Sequence, residues 1–586
     1  MNSFNSARRD LLRVGSLGMA GAALPALASA ASNDAASPAA SILNVRHYGA
    51  AGDGKTLDTP AVNRAIAAAA DAGGGTVLFP AGVYLCFSIH LQSSVHLYLD
   101  AGATIQAADS PRPGESTGAN GGTYDAAEPN TAWDAYQDYG HNHWHNSLLW
   151  GEEIHDFSIT GRGLIYGKGL SFGMGPAPAP STVVRGFGSE PVTSPAAHGQ
   201  SSSAPRGPAQ AQPARPFTPR GDYPMYQAEQ PGAGNKAIAL KNCRNVLLRD
   251  FSILKGGHFA LLMTGVDNLT IDNLTIDTDR DGIDLDCCQN VRVSNCTVNS
   301  PWDDGICFKS SYALGYARAT RNLTISNCYV TGCYQLGTVL DGTWKKFPEG
   351  ARAYGTGRIK FGTESNGGFI NITITGCVFE GCHGYALETV DGALLEDIAI
   401  TNTTMRDLTA PPLFLRLGAR LRGPKDTTKV GTLKRVLVDN LVCHNAPAGV
   451  SSILSGIPGY AIEDVKLSNI YIESVGGATP DGAQIQPPEK ADSYPEPAMF
   501  GPTPSLGFFL RHVRNIEMSH VELAAIAPDA RPAFYLEDVV RADFFAVTAP
   551  RAAQGNVALH NVKDLRIAWS RAAADTVLDS ADAKML

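Results

Sequence analysis

Short runs of alternating apolar and polar residues recur along most of the chain. Thr76-Val77-Leu78-Phe79 and Val95-His96-Leu97-Tyr98-Leu99 show the period of two that a half-buried strand requires. From residue 245 the alternation becomes a repeat. Runs of the form Asn-[Val/Leu]-x-[Ile/Val] begin at Asn245, Asn268, Asn290 and Asn322, at intervals of 23, 22 and 32 residues, and resume at Asn371. A second short β run follows each about five residues later, as a coil of several strands and tight turns would give. Weaker versions begin at Arg435, Ile462, Asn515 and Asn561. The Leu/Asn consensus and the helical portion of leucine-rich repeats are missing, so the period points to a parallel β-helix. One helix is expected, the Ala-rich stretch Pro60 to Ala72. Asp58 and Thr59 can cap it, Pro60 suits its first turn, and Gly73-Gly74-Gly75 ends it. Such a helix closes the open end of a solenoid.

The repeat puts residues in columns. Phe251, Leu274, Cys296, Cys328 and Cys377 each lie six residues after a repeat asparagine. A column shared by Phe, Leu and Cys is an interior stack in which Cys acts as a small hydrophobe. The repeated Asn is expected to cap turns. Asp281 and Asp303 each lie thirteen residues after a repeat asparagine, with Asp304 alongside. Parallel strands are about 4.8 Å apart, so successive coils would bring these carboxylates to one bound sugar. Adjacent strand residues point to opposite faces, so Asp303 and Asp304 must sit at a bend, which Pro301 and Gly305 favour.

Composition narrows the setting. The net charge of −9 and the lack of a basic tract exclude nucleic acid as a partner. Arg8-Arg9-Asp10-Leu11-Leu12-Arg13, an Ala/Gly-rich run and Ala28-Ser29-Ala30 read as a twin-arginine-type signal over residues 1–30. A periplasmic or secreted location follows, with no membrane span in the mature protein. Eleven cysteines in that compartment would suggest disulfides, but the interior column argues otherwise for several of them. Their spacing also lacks a zinc pattern. Residues 31–42 read as a flexible leader, 43–575 as a single β-helix domain and 576–586 as a C-terminal tail. Residues 170–234, rich in Pro, Ala, Gly, Ser and Gln, read as an insertion that cannot bury enough apolar area to offset its ordering entropy. Residues 107–145 are irregular; His141, His143 and His145 with Trp133 and Trp144 would form either an aromatic wall or a metal site.

Four segments stand out, the first for the fold it indicates and the others for chemistry. They are Tyr48 to Thr59 with Phe79-Pro-x-Gly-x-Tyr84, Asp279-Arg-Asp281-Gly-Ile-Asp284, Asp303-Asp304-Gly-Ile-Cys-Phe-Lys309-Ser, and Gly357-Arg358-Ile-Lys360. Over residues 44–420 the chain resembles the polygalacturonase/rhamnogalacturonase family of glycoside hydrolases. The resemblance implies an all-β, right-handed parallel β-helix with an N-terminal capping helix. It implies Asp303 as general acid, with Asp281 and Asp304 holding the attacking water. It also implies inversion, with acid and base roughly 6.5–9.5 Å apart. Packing three carboxylates together should leave one of them protonated near neutral pH.

The family's Gly-His-Gly motif is missing. Its place is taken by Gln335 in the column or by Thr356. His258, one coil before Asp281, either supplies an imidazole from the other side or is a surface histidine. Arg358 and Lys360 alternate on a strand and can hold a uronate carboxylate, with Lys309 as a further candidate. Glu364 and Glu388 can bind sugar hydroxyls, stabilise turns or pair with Arg358. The expected partner is an acidic plant-type polysaccharide or oligosaccharide, acted on by a monomer without a cofactor or metal. Insertions near the cleft would block some subsites and favour exo-action or a branched substrate. Two other readings stay open: a lyase or epimerase that holds Ca²⁺ on the Asp cluster, and a non-catalytic glycan-binding β-helix.

Overall fold

The computed structural model describes residues 42–171 except 113 and 139, then 230–346 and 355–586. The expected signal and leader fall outside the described residues, as does all but the two ends of the 170–234 insertion. From Ile42 onward the described residues form a parallel β-helix, with 36 strands joined in one continuous sheet. A typical coil carries three strands, as in Phe259–Thr264, Asp267–Asp272 and Thr275–Asp277. Each pairs in parallel register with its counterpart one coil on.

The repeat asparagines make the turns. Asn245, Asn268, Asn290, Asn322 and Asn371 all have φ between 53° and 61°, the left-handed region that Asn tolerates better than most side chains. Their amides stack into a ladder. Nδ2 of Asn268, Asn290, Asn322 and Asn371 donates to Oδ1 of the asparagine one coil earlier at 3.0, 3.3, 3.0 and 2.9 Å. The structural role expected for these residues is the one observed.

Helix α1 spans Thr59–Asp71 and packs Val62, Ala65, Ile66 and Ala69 against the first coils. Asp58 makes no side-chain cap. Its carboxylate instead accepts from Ala51 N at 2.7 Å and Gly52 N at 2.9 Å, which fixes the approach to the helix. At the other end, residues expected to be a tail form strand Thr576–Ala581, antiparallel on Val557–Ala568. Antiparallel pairing, in place of the parallel pairing that stacks the coils, thus covers the last one. All eleven cysteines are free thiols and buried.

One face of the coils carries the site. Its strands, in order, are β1 (Asp281–Asp286), β2 (Ile306–Ser310), β3 (Ile359–Ser365), β4 (Tyr385–Thr389), β5 (Leu413–Leu417), β6 (Ser452–Ser455), β7 (Phe508–Ala527) and β8 (Phe534–Phe545). Inward positions form an unbroken apolar stack: Leu285, Phe308, Phe361, Leu387, Leu415, Leu454, Leu510 and Leu536 in register. The adjacent outward column reads Asp284, Cys307, Lys360, Ala386, Phe414, Ile453, Phe509 and Tyr535. Alternation on the pleat frees this second column from core packing.

Candidate active site

Asp281 opens β1, and Asp303 and Asp304 lie in the bend just before β2. That bend is held from three directions. The Asp303 carbonyl accepts from Gly357 N at 2.8 Å, from Thr356 Oγ1 at 2.6 Å and from Ser300 Oγ at 2.9 Å. Thr356, one of the two candidates for the missing histidine position, therefore fixes backbone rather than touching a carboxylate. Gln335 lies on the short strand Tyr334–Leu336, and its side chain is outside the described residues.

The three carboxylates converge. One oxygen from each of Asp281, Asp303 and Asp304 lies within 4.8 Å of the others. Their surroundings differ sharply. The Asp304 side chain is 4 % exposed and that of Asp303 is 28 %, so Asp303 is the member open to the groove. Arg358 Nε donates to Asp304 Oδ1 at 2.7 Å, and Lys360 Nζ lies 3.4 Å from Asp304 Oδ2. Burial opposes ionisation of Asp304, but the charges of Arg358, Lys360 and Lys309 outweigh it and hold the carboxyl well below the usual range. Burial and the like charges of Asp303 and Asp284 push Asp281 well above that range. Arg280 Nη2 donates to Asp303 Oδ2 at 2.6 Å. The nearest-oxygen spacing is shorter than the roughly 6.5–9.5 Å expected between an inverting acid and base.

The remaining predicted residues reach the same face, but most are already engaged. Arg358 and Lys360 do point to one side, as alternation required. The guanidinium of Arg358 is forked by Glu496: Nη1 donates to Oε2 at 3.0 Å and Nη2 to Oε1. Lys360 Nζ lies 3.4 Å from Glu496 Oε1 and 3.8 Å from Glu388 Oε2. Lys309 pairs with Glu364 at 3.4 Å and Asp284 at 3.8 Å, which removes it from the role of uronate anchor. Glu364 is fully buried and takes Asp138 N and His141 Nδ1, both at 2.8 Å. It ties the irregular 131–146 segment to β3 and presents nothing to a sugar. His258 is buried and stacks on Phe259 with ring centroids 4.3 Å apart, rather than lying open on the surface. Burial and the charge of Arg280 keep it well below the ordinary histidine range.

The alternating histidines form neither an aromatic wall nor one metal site. His141 goes to Glu364, while His145 packs at a tilt on Trp150, with ring centroids 3.9 Å apart, and pairs with Glu152 at 3.0 Å. Trp144 is buried beneath Lys241, and its Nε1 donates to Thr264. Two groups have metal-ligand spacing: Glu128, His145 and Glu152, and the Asp triad itself. Lys241 at 2.8 Å from Glu152, and Arg280, Arg358 and Lys360 on the triad, already balance those carboxylates.

Several contributors escape sequence reasoning. Glu496 and Tyr494 come from the segment between Gly476 and Phe508, which has no coil period. Tyr494 is 45 % exposed and lies over Lys360 at 5.5 Å and Arg420 at 5.8 Å, a ring face presented beside the triad. Its Pro-rich surroundings offered no signal. Arg422 pairs with Asp138 at 2.5 Å, and both Asp138 and Arg420 bond Thr363 of β3. Asp284 had a signal: it shares the motif of Asp281 and alternates outward on β1. Burial pushes its carboxyl up to about 7 against the pull of Lys309.

Sequence-family models match three overlapping or separate stretches. Residues 232–315 and 259–407 match the right handed beta helix region, and residues 42–138 match the model described as rhamnogalacturonase A/epimerase, pectate lyase-like. The fold is similar to that of a hyperthermoactive exopolygalacturonase from Thermotoga maritima, with TM-score 0.54 and 17% identity over 83% of this chain and 92% of that one. It is also similar to the Family 28 exopolygalacturonase of Yersinia enterocolitica, with TM-score 0.56 and 17% identity over 87% and 79%. At that identity the likeness concerns the fold. A 41-residue stretch is 61% identical to Alginate lyase 7 of Azotobacter vinelandii, which is 7% of this chain and only 5% of that protein.

Proposed function

We propose that this pectate-lyase-like, right-handed β-helix is a glycoside hydrolase. Its substrate class is pectin-type polysaccharide containing galacturonic acid, rhamnogalacturonan included. The observation that carries the reading is the unequal triad. Hydrolysis of a glycosidic bond needs a proton donor and an ionised base in one groove. Asp304 is held ionised by Arg358 and Lys360, while burial and like charge keep a proton on Asp281. Asp303, the exposed member, protonates the leaving oxygen. Asp281, with a carboxylate oxygen within 4.8 Å of one on Asp303, serves as the proton reserve rather than as a second ionised water holder. Asp304 orients the attacking water.

The likeness of fold to two exopolygalacturonases supports exo-action. The exported location is part of the same proposal. Among the described residues no helix is long and apolar enough to cross a membrane.

The test is a panel of pectic oligosaccharides with product anomers followed by proton NMR. Inverted product from chain ends, and a drop of about 10²–10⁴-fold in turnover for Asp303→Asn with an unchanged melt, is the expected result. Retained configuration would overturn the inverting assignment. The three-carboxylate spacing also suits a cation. Unsaturated products and loss of activity in chelator would favour a lyase on this scaffold instead. Unaltered glycan binding by Asp303→Asn, with no turnover by either protein, would favour a binding module.

A further inference from the structure

The charges around the triad are already balanced from within the protein. Arg280 is bonded to Asp303, and Lys309 lies between Asp284 and Glu364. Arg358 is divided between Asp304 and Glu496, and Lys360 among Asp304, Glu388 and Glu496. Arg358 and Lys360 are the two cations best placed to grip a sugar carboxylate beside Asp304. Both amine and guanidinium are buried, at 2 % exposure each. The carboxylate they hold at the groove, with its side chain 25 % exposed, is Glu496.

That carboxylate is delivered by design of the segment around it. Met499 and Phe500, three and four residues on, are buried against Phe414, Ile453, Phe509 and Tyr535. Arg416 and Arg511 sit 5.2 and 5.5 Å from the Phe500 ring. Arg416 Nη2 donates to the carbonyls of Glu489 and Lys490 at 2.8 and 3.1 Å, and Arg511 to those of Pro487 and Pro488 at 2.8 and 2.9 Å. Anchors on both sides of residue 496 leave Glu496 facing Arg358 as a fixed part of the wall. A fork of two parallel N–H···O bonds is the geometry with which arginine binds any carboxylate. Glu496 therefore occupies the position that a uronate carboxylate would need. An incoming uronate would meet that negative charge in a low-dielectric groove and find no released cation there.

We infer that Glu496 is a specificity-determining residue, and that the sugar seated against Arg358 and Lys360 is uncharged. The inference rests on the hydrolase reading for its consequence: the bond cleaved joins a neutral sugar, or a uronate neutralised as its ester, within the pectic chain. The neighbouring ring of Tyr494 suits such a sugar, since a sugar face packs on an aromatic without needing charge.

Calorimetric binding of trigalacturonate and of its fully methyl-esterified form tests this, because the two trimers differ in charge along one backbone. Wild-type protein should bind the ester about tenfold more tightly or better. Glu496→Gln keeps the shape and removes the charge, so it should gain about tenfold for trigalacturonate, in a salt-sensitive way, and change little for the ester. Adding Arg358→Gln to that variant should erase the gain. Wild-type preference for the acid trimer, or no gain in Glu496→Gln, would overturn the inference while leaving hydrolysis intact. The wild-type comparison stands even if a variant fails to fold. Binding of neither trimer by any form would sink the pectic-hydrolase reading and this inference with it.

Discussion

The outward column of one β-helix face has two halves that share strands, register and core, yet differ in kind. Over β1 to β3 it reads Asp284, Cys307, Lys360, flanked by the Asp triad and by Arg358. Over β5 to β8 it reads Phe414, Ile453, Phe509, Tyr535, covered by Met499 and Phe500. The apolar stack behind both halves is continuous. Outward residues are thus free to serve chemistry in one half and docking in the other, because alternation assigns stability to the inward set. The two halves meet at Glu496. The apolar half seats the segment, and the segment places a carboxylate on the charged half.

The sharpest break lies in the charged half. Arg358→Gln removes a guanidinium shared by two carboxylates, one of them nearly inaccessible. Leaving buried Asp304 with Lys360 as its sole remaining cationic neighbour of that pair should cost about 3–4 kcal/mol, read as a shift in denaturation midpoint at constant slope. A shift under about 1 kcal/mol would mean that Lys360 alone balances the site.

Next in size is the apolar half. Phe500→Ala removes a buried ring set between two guanidinium groups and two aromatic neighbours. It should cost about 3 kcal/mol and speed proteolytic cleavage between residues 477 and 507. If the segment is what fixes Glu496, the same variant should bind trigalacturonate more tightly than wild type does. Tight binding of the ester with no such gain would separate the two halves.

The smallest effect concerns protonation. Glu388 lies under Lys360, and burial pushes its carboxyl up to about 8 despite the pull of Lys360 and Arg358. Its folded value lies above its unfolded one, about 4.3. The fold therefore favours the protonated form. That stabilisation is complete below about pH 4 and is lost as pH rises through about 8. Glu388→Gln stays neutral throughout. Its melting temperature relative to wild type should be constant below about pH 4, climb as the pH rises toward 8 and stand about 2 °C higher near pH 9. An equal difference at every pH would show that Glu388 remains ionised beside Lys360.

Much of the molecule was legible in the chain because the information is periodic. A repeat of short alternating runs specifies parallel stacking, and the thirteen-residue offset from each asparagine brought Asp281 close to the Asp303–Asp304 bend, although the register of Ile283 on Ile306 sets Asp304 rather than Asp303 one coil on from Asp281. The asparagine ladder and, six residues on, the interior cysteine column follow from the same repeat. Pro301 and Gly305 marked the bend that lets Asp303 and Asp304 face one groove. What the repeat could not supply is the occupant of each outward side chain. Glu364 and Lys309 were read as facing sugar and are instead consumed by His141, Asp138 and Asp284. His258 was read toward the cleft or the surface and is packed on Phe259.

The sequence by itself determined the coil, its inward stack and the meeting of three carboxylates, since those depend on spacing within and between neighbouring coils. Only the tertiary structure decided which charges remain available to a ligand. Asp138 reaches Glu364 from 226 residues away, and Glu496 reaches Arg358 across 138. Segments outside the coils carry no period, and where they land depends on which outward patch can bury them. The energy of a buried ion pair depends on every charge within a few ångströms. A position in a repeat specifies where a side chain starts; the folded neighbourhood specifies what it meets.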